Sequence, residues 1–252
     1  MKNYKYFDIV MVAFVAVLLI SNVASNKIVE LGQISLGAGN VFKLVFDGGT
    51  ILFPLSYIFG DVLTEVYGYK SSRRVIWSGF AVSALMAVVL WVVTSLPIPT
   101  DAGPQPQSEA FNQALASTPY IVLGSLIAFW AGEFSNSFVL AKMKLLTGGR
   151  WLWTRTIGST LIGEGIDTLL FTGVAFALGG VLLGAPMEGG LLWSLVMSNY
   201  IFKVGVEVVF TPVTYWVVGF LKRTEHEDFY DYKTDFNPFA FFQGKEKEEL
   251  AA

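Results

Sequence analysis

The sequence predicts an all-α membrane protein: a six-transmembrane-helix bundle with a short external β-hairpin between helices one and two. Composition, block structure and loop charge predict it. Of 252 residues, 54% are hydrophobic and 15% charged, where a soluble domain carries about a quarter charged. Mean hydropathy is +0.56, and the apolar residues gather into blocks of about the 20 residues that cross a bilayer as a helix. Lys and Arg cluster in alternate loops. The mild net charge of −3 gives no footing for nucleic acid, and the absence of cysteine excludes disulfides and thiolate metal sites. No cofactor or metal is expected. Nor does a signal peptide stand out, because the apolar run after Lys2 and Lys5 continues through Ser21 and Asn22 without a small-residue cleavage site.

In chain order the spans are expected at residues 8–24, 50–67, 75–96, 119–143, 157–183 and 191–221. The last two exceed about 20 residues and should tilt, kink or project beyond the bilayer, with Pro212 a candidate kink. Lys2 and Lys5 lead the first span, and Lys70, Arg73 and Arg74 lie between the second and third. Lys142, Lys144, Arg150 and Arg155 lie between the fourth and fifth; Lys222 and Arg223 follow the sixth. Loops 97–118 and 184–190 carry no Lys or Arg, and Lys27 and Lys43 in the remaining loop are matched by Glu30 and Asp47. The positive-inside rule then puts both termini in the cytoplasm, which requires an even number of spans.

Residues 28–34 and 41–46 are β-prone and flank Leu36-Gly37-Ala38-Gly39-Asn40, the pattern of a hairpin. Asp47-Gly48-Gly49 turns the chain into span two. The hairpin is either a lid or a structured connector. Residues 224–252 form an acidic, aromatic tail against the cytoplasmic face, its last stretch, 245–252, mobile. No unit repeats within the chain.

Six acids lie inside the apolar blocks, namely Asp61, Glu65, Glu133, Glu164, Asp167 and Glu207, with the single cation Lys203. An ionisable group in a bilayer costs about 2.5–3.5 kcal/mol on insertion scales, so such groups face a cavity or a partner. A set this unbalanced predicts a polar chamber for donor-rich ligands, protons or cations, as in a transporter core. The spacing agrees. Asn22 and Asn26, Asp61 and Glu65, Glu133 and Asn136, Glu164 and Asp167, and Asn199, Lys203 and Glu207 each recur at helical intervals on one face. At about 1.5 Å per residue, Asp61, Asp167 and Lys203 lie roughly 15–18 Å into their spans, near the midplane. Span three carries only Ser83 and Thr94 as polar groups and reads as a packing or lipid-facing helix.

Structural roles compete for several of these residues. Asn22 and Asn26 suit interhelical hydrogen bonds as well as ligand contacts. Lys203 with Glu207 is most economically an internal ion pair, and Glu65 reads as a boundary residue. Glu133 and Asp167 have no cation one turn away and need a ligand, a proton or a donor from another helix.

The same residues carry a resemblance. Phe53-Pro54-Leu55, Gly60-Asp61, Tyr67-Gly68 and Arg73-Arg74 resemble the second-span signature of the queuosine precursor transporter family, also called the vitamin uptake transporter or YhhQ family. Three further stretches are similar to it: Gly132-Glu133-Phe134-Ser135-Asn136-Ser137, Gly163-Glu164-Gly165-Ile166-Asp167-Thr168 and Asn199-Tyr200-Ile201-Phe202-Lys203-Val204. So is Phe236-Asn237-Pro238-Phe239. The resemblance covers nearly the whole chain. It implies uptake of the 7-deazaguanine bases preQ0 or preQ1 across a bacterial inner membrane, and a bundle similar to the substrate-binding components of energy-coupling-factor transporters. Members differ at the positions of Glu133 and Glu164, which leaves the ligand's identity open.

The chemistry suits such a ligand. A guanine-like edge offers an N–H and an amine side by side, and a carboxylate accepts both through charge-assisted bonds. Asn22, Asn136 or Lys203 would donate to the carbonyl oxygen O6, and Phe134, Phe171, Tyr200 and Phe202 are stacking candidates. A different vitamin-like or cationic substrate is the alternative. An intramembrane hydrolase is disfavoured because the single histidine, His226, lies in the tail. No P-loop motif is present, so energy from ATP would require a separate subunit. The expected partners are a small-molecule substrate and the lipid bilayer, with a homo-oligomer left open.

Overall fold

A computed structural model describes residues 4–37, 40–98, 105–115, 118–182 and 186–241. The tip of the expected hairpin at 38–39 and the terminal stretch 245–252 lie outside them. The chain is mostly helical. Helix α1 (Phe7–Ala24) leads into strands β1 (Ile28–Gly37) and β2 (Asn40–Asp47), which pair antiparallel with Ile28 opposite Asp47. A short 3₁₀ turn, Gly48–Ile51, feeds α2 (Phe53–Tyr67) and α3 (Tyr69–Ser95). After α4 (Pro106–Leu115) come α5 (Thr118–Leu146) and α6 (Leu152–Phe171). Helix α6 runs on through a π-helical segment, Thr172–Leu178, into α7 (Gly179–Leu182), and α8 (Gly189–Glu225) completes the bundle.

Four of these elements, Phe7–Ala24, Tyr69–Ser95, Leu152–Val181 and Gly189–Glu225, are long and apolar enough to cross a membrane. Their outward faces are apolar. Val82, Leu85, Val88, Trp91 and Val92 of α3, and Ile201, Val209 and Trp216 of α8, are all exposed. Helix α8 has 37 residues, about 55 Å at helical rise, so it overreaches a hydrocarbon core of about 30 Å.

The chain reverses direction at each connection. One end of the bundle therefore carries the hairpin, and the other carries the amino terminus and the tail. Helices α5 and α6 make the most extensive pairing. At their crossing a Cβ on Gly132 would stand 2.9 Å from Asp167 Cβ, and one on Gly163 would stand 2.7 Å from Asn136 Cβ. Small residues let the two backbones close, and the polar side chains beside them face one another.

The join between α2 and α3 departs from expectation. Lys70, Arg73 and Arg74 do not form a loop but occupy the first turns of α3, with Gly68 alone between the helices. Gly68 adopts φ +81°, a left-handed value that suits glycine. The amide of Tyr69, at the start of α3, donates to both carboxylate oxygens of Asp231 at 3.2 and 3.1 Å. That acid, supplied by the tail, offsets basic residues at the positive end of a helix dipole. The other unforeseen element is α4, a short exposed helix in which Leu115 alone is buried.

Candidate functional site

Polar stripes from α2, α5, α6 and α8 meet in the middle of the bundle. Asp61, Glu133, Asn136 and Glu164 are wholly buried, and Asp167, Asn199, Lys203 and Glu207 are nearly so. Across α2 and α5, Asn136 Nδ2 donates to Asp61 Oδ1 at 2.7 Å. Across α6 and α8, Lys203 Nζ donates to Asp167 Oδ2 at 2.6 Å and stands 3.0 Å from Glu164 Oε2. The expected pairing of Lys203 with Glu207 is therefore replaced. Lysine reaches the neighbouring helix, where two acids one turn apart present themselves together. Both oxygens of Glu207, both of Glu133, and Asp61 Oδ2 have no hydrogen-bond partner among the described residues.

Toward the hairpin the chamber is closed by a second network. Asp47, at the foot of β2, accepts from Ser25 Oγ at 2.7 Å, Gly49 N at 3.0 Å, Thr50 Oγ1 at 2.8 Å and Asn199 Nδ2 at 3.2 Å. Thr50 Oγ1 also lies 2.9 Å from Asn199 Oδ1. Asn22 donates to its own helix at Leu18 O, 2.9 Å away, and accepts from Ser125 of α5. Ser25, Asp47, Thr50, Ser125, Asp167, Phe171 and Lys203 line one small cavity of about 10 Å³. That is room for about one water. A ring-sized ligand does not fit this cavity.

Two comparisons with known proteins bear on this arrangement. Residues 47–217 match the family model described as "Putative vitamin uptake transporter". A Bacillus subtilis (strain 168) protein named "Probable queuosine precursor transporter" is 30% identical over 77% of both chains. The chain belongs to the queuosine precursor transporter family. It is thus a multi-pass membrane uptake transporter and not an enzyme. Relatives from Haemophilus influenzae, "Probable queuosine precursor transporter", and Escherichia coli strain K12, "Queuosine precursor transporter", are 24% and 26% identical. Each alignment covers 77% of this chain and 80% of the relative. No solved structure matches the chain.

Among the stacking candidates, the transporter brings only Phe171 to the cavity. Phe134 packs instead among Trp130 at 5.4 Å, Trp77 at 6.1 Å and Tyr69 at 6.4 Å, on the α3 side of α5. Phe202 stacks on Phe46 at 5.5 Å and ties α8 to β2. Tyr200 donates to Leu161 O at 3.2 Å on the outer face of α6. In each case helical spacing located an aromatic but not the neighbour it meets. Among the described residues the Asn26 side chain bonds only locally, to Val23 O at 3.1 Å.

Asp47, Ser25, Thr50 and Ser125 were not foreseen. Asp47 reads from sequence as a loop acid balancing a lysine, yet it is buried, and Glu30 is the acid nearest Lys43, at 4.0 Å. The Gly-Gly that follows Asp47 is the available signal, since such a turn lets a backbone pack tightly against α1.

Glu65 belongs to a different cluster, at the tail end. Its Oε1 takes Arg155 at 2.8 Å and Lys222 at 2.7 Å, with Lys144 at 3.5 Å. Lys144 and Lys222 share Asp228 of the tail at 2.7 and 2.8 Å. Lys144 also donates to Glu65 O at 2.6 Å and Phe229 O at 2.8 Å. The tail crosses this end further along, with Arg73 donating to Asp235 O and Asn237 O and Trp77 to Pro238 O.

Proposed function

We propose that this protein takes up the queuosine precursors preQ0 and preQ1 across the bacterial inner membrane. Its six helical spans place both termini in the cytoplasm, and the base binds in the midplane chamber. The observation that carries the reading is a buried set of carboxylate oxygens without donors among the described residues, in a chain whose relatives are named queuosine precursor transporters. A 7-deazaguanine offers two adjacent donors to such oxygens. Glu133 is the acceptor assigned to that edge, Lys203 and Asn136 are assigned to the carbonyl oxygen of the base, and Phe171 to one of its faces. Asp47 and Asn199 close the chamber on the hairpin side. The contracted cavity then supports a cycle in which one end opens while the other stays laced.

The test is a binding titration of the purified chain with preQ0, preQ1, guanine and hypoxanthine. Hypoxanthine lacks the exocyclic amine, so one carboxylate oxygen is left buried and unpaired. The loss is expected at about 1–3 kcal/mol, or roughly 5- to 150-fold in affinity. Equal affinity for guanine and hypoxanthine removes the paired-donor mechanism, and no binding of any of the four points to another substrate class. Topology is tested separately. Reporter fusions at Gly148, in the tail-end turn, and at Gly103 should report opposite sides of the membrane.

A further inference from the structure

The chamber's charges do not balance. Asp61, Glu133, Glu164, Asp167 and Glu207 are all buried in the bundle interior with Lys203, which is engaged by Asp167 and Glu164. Glu133 is the extreme member, 0% exposed with neither oxygen bonded among the described residues. Its carboxyl lies flat on α2, with Oε2 2.8 Å from where a Cβ on Gly60 would stand, so glycine is what admits it there. The groups that act on it are acidic or neutral: Glu164 and Asp167 from α6, Asp61 and Tyr57 from α2. From α8, Lys203 engages Glu164 and Asp167 of α6, and Glu207 adds a further acid. An ionised carboxylate buried without donors costs several kcal/mol, which a proton on it removes.

We propose that Glu133 is a proton-binding residue and that the substrate displaces its proton. This rests on the reading of the ligand as a base with two adjacent donors. A protonated carboxyl presents one O–H donor and one free acceptor, whereas the edge of the base needs two acceptors. Base and proton therefore compete for the same two oxygens. The step balances as protein–COOH plus base giving the protein–carboxylate·base complex plus one proton released to solvent. No covalent bond other than the O–H bond breaks, and no redox partner is required. Uptake through this site is then linked to proton movement opposite to the base, and affinity rises tenfold per pH unit while the free carboxyl is protonated and the bound one ionised.

The test uses the full-length chain in detergent. Infrared spectroscopy of the substrate-free protein at neutral pH should show a protonated-carboxyl stretch that is missing from Glu133→Gln. Gln has the shape of the protonated acid and should leave the fold intact. Calorimetry with preQ1 in buffers of different ionisation enthalpy should then give about one proton released per base bound. In Glu133→Gln the release should vanish, and the remaining weak binding should be flat with pH. If wild-type and variant spectra do not differ in that stretch, the proposal is overturned whatever binds. Binding of preQ1 with pH-independent affinity and no proton release also overturns it. If the stretch is present but none of the bases binds, the substrate reading fails while the proton site stands on the spectrum alone.

Discussion

Two clusters of buried charge sit at different depths of the same bundle and are built in opposite ways. At the tail end, one oxygen of Glu65 is approached by three cations from three helices, Arg155, Lys222 and Lys144. In the chamber, Lys203 pairs with two of the five acids, Asp167 and Glu164, while Glu133 and Glu207 have neither a hydrogen bond nor an ion pair among the described residues. Helices α2, α5, α6 and α8 contribute to both. Burial alone therefore does not distinguish the two clusters; the supply of partners does. An acid saturated in cations, as Glu65 is although its Oε2 has no hydrogen-bond partner among the described residues, ties helices together. An unsaturated one calls for a proton or a ligand, which is what the proposed transport site needs.

The largest expected effect tests the saturated cluster. Glu65→Ala leaves Arg155 buried without its counter-ion and Lys144 with Asp228 alone, and breaking a buried pair from one side costs about 3–5 kcal/mol. Thermal unfolding in detergent should show a strongly destabilised protein. Glu133→Gln removes no partner and should shift stability by less than about 1 kcal/mol. If the two variants are equally stable, the contrast between the clusters is lost.

Transport should show the reverse order. Glu133→Gln and Asp167→Asn replace an acceptor with a group that donates where the ligand donates. Each forfeits a charge-assisted bond of about 1.5–3 kcal/mol, roughly 10- to 150-fold in uptake at limiting substrate. Glu30→Gln and Glu188→Gln, far from the chamber, should transport like the parent at equal expression. Indistinguishable rates across the four would remove the functional half of the comparison.

How much of this was legible in the sequence depends on which question is asked. The stripes were legible, because spacings such as Asp61 to Glu65 or Asn199 to Lys203 to Glu207 fix which side chains share a helix face. So was the hairpin, because its β-prone runs flank a glycine-rich turn. Partner choice was not. A lysine one turn from Glu207 looks paired along its own helix, and only the rotation of α8 against α6 delivers it to Asp167 and Glu164. The same gap explains Phe134, whose ring points into the α3 cluster. It also explains Arg73, whose helical position depends on a single-residue turn at Gly68 and on Asp231, which accepts from the amide of Tyr69 162 residues before it. The closing network at Asp47 was hidden for a related reason: a loop acid's burial depends on a glycine turn docking onto α1.

The smallest effect concerns the rim of the saturated cluster, where Asp228 meets Lys144 and Lys222. Its side chain is 44% exposed, so the pair is screened and worth about 1 kcal/mol or less. Partial burial pushes its carboxyl up, but hydrogen bonds from the two lysines and their charges outweigh that and hold it below the ordinary 3.8. A carboxyl lowered on folding stabilises the folded state above its unfolded value, and that contribution fades as pH falls through the folded value. Asp228→Asn should therefore loosen the tail slightly at neutral pH and not at all in strong acid. Hydrogen exchange at the amide of Phe229, which donates to Val66 O at 3.3 Å, reads this directly. Protection there should drop a few-fold in Asp228→Asn while amides in the middle of α6 keep theirs. A loss of protection that spread to α6 would mean that the two clusters fold as one unit, and the division between a laced end and a responsive chamber would have to be abandoned.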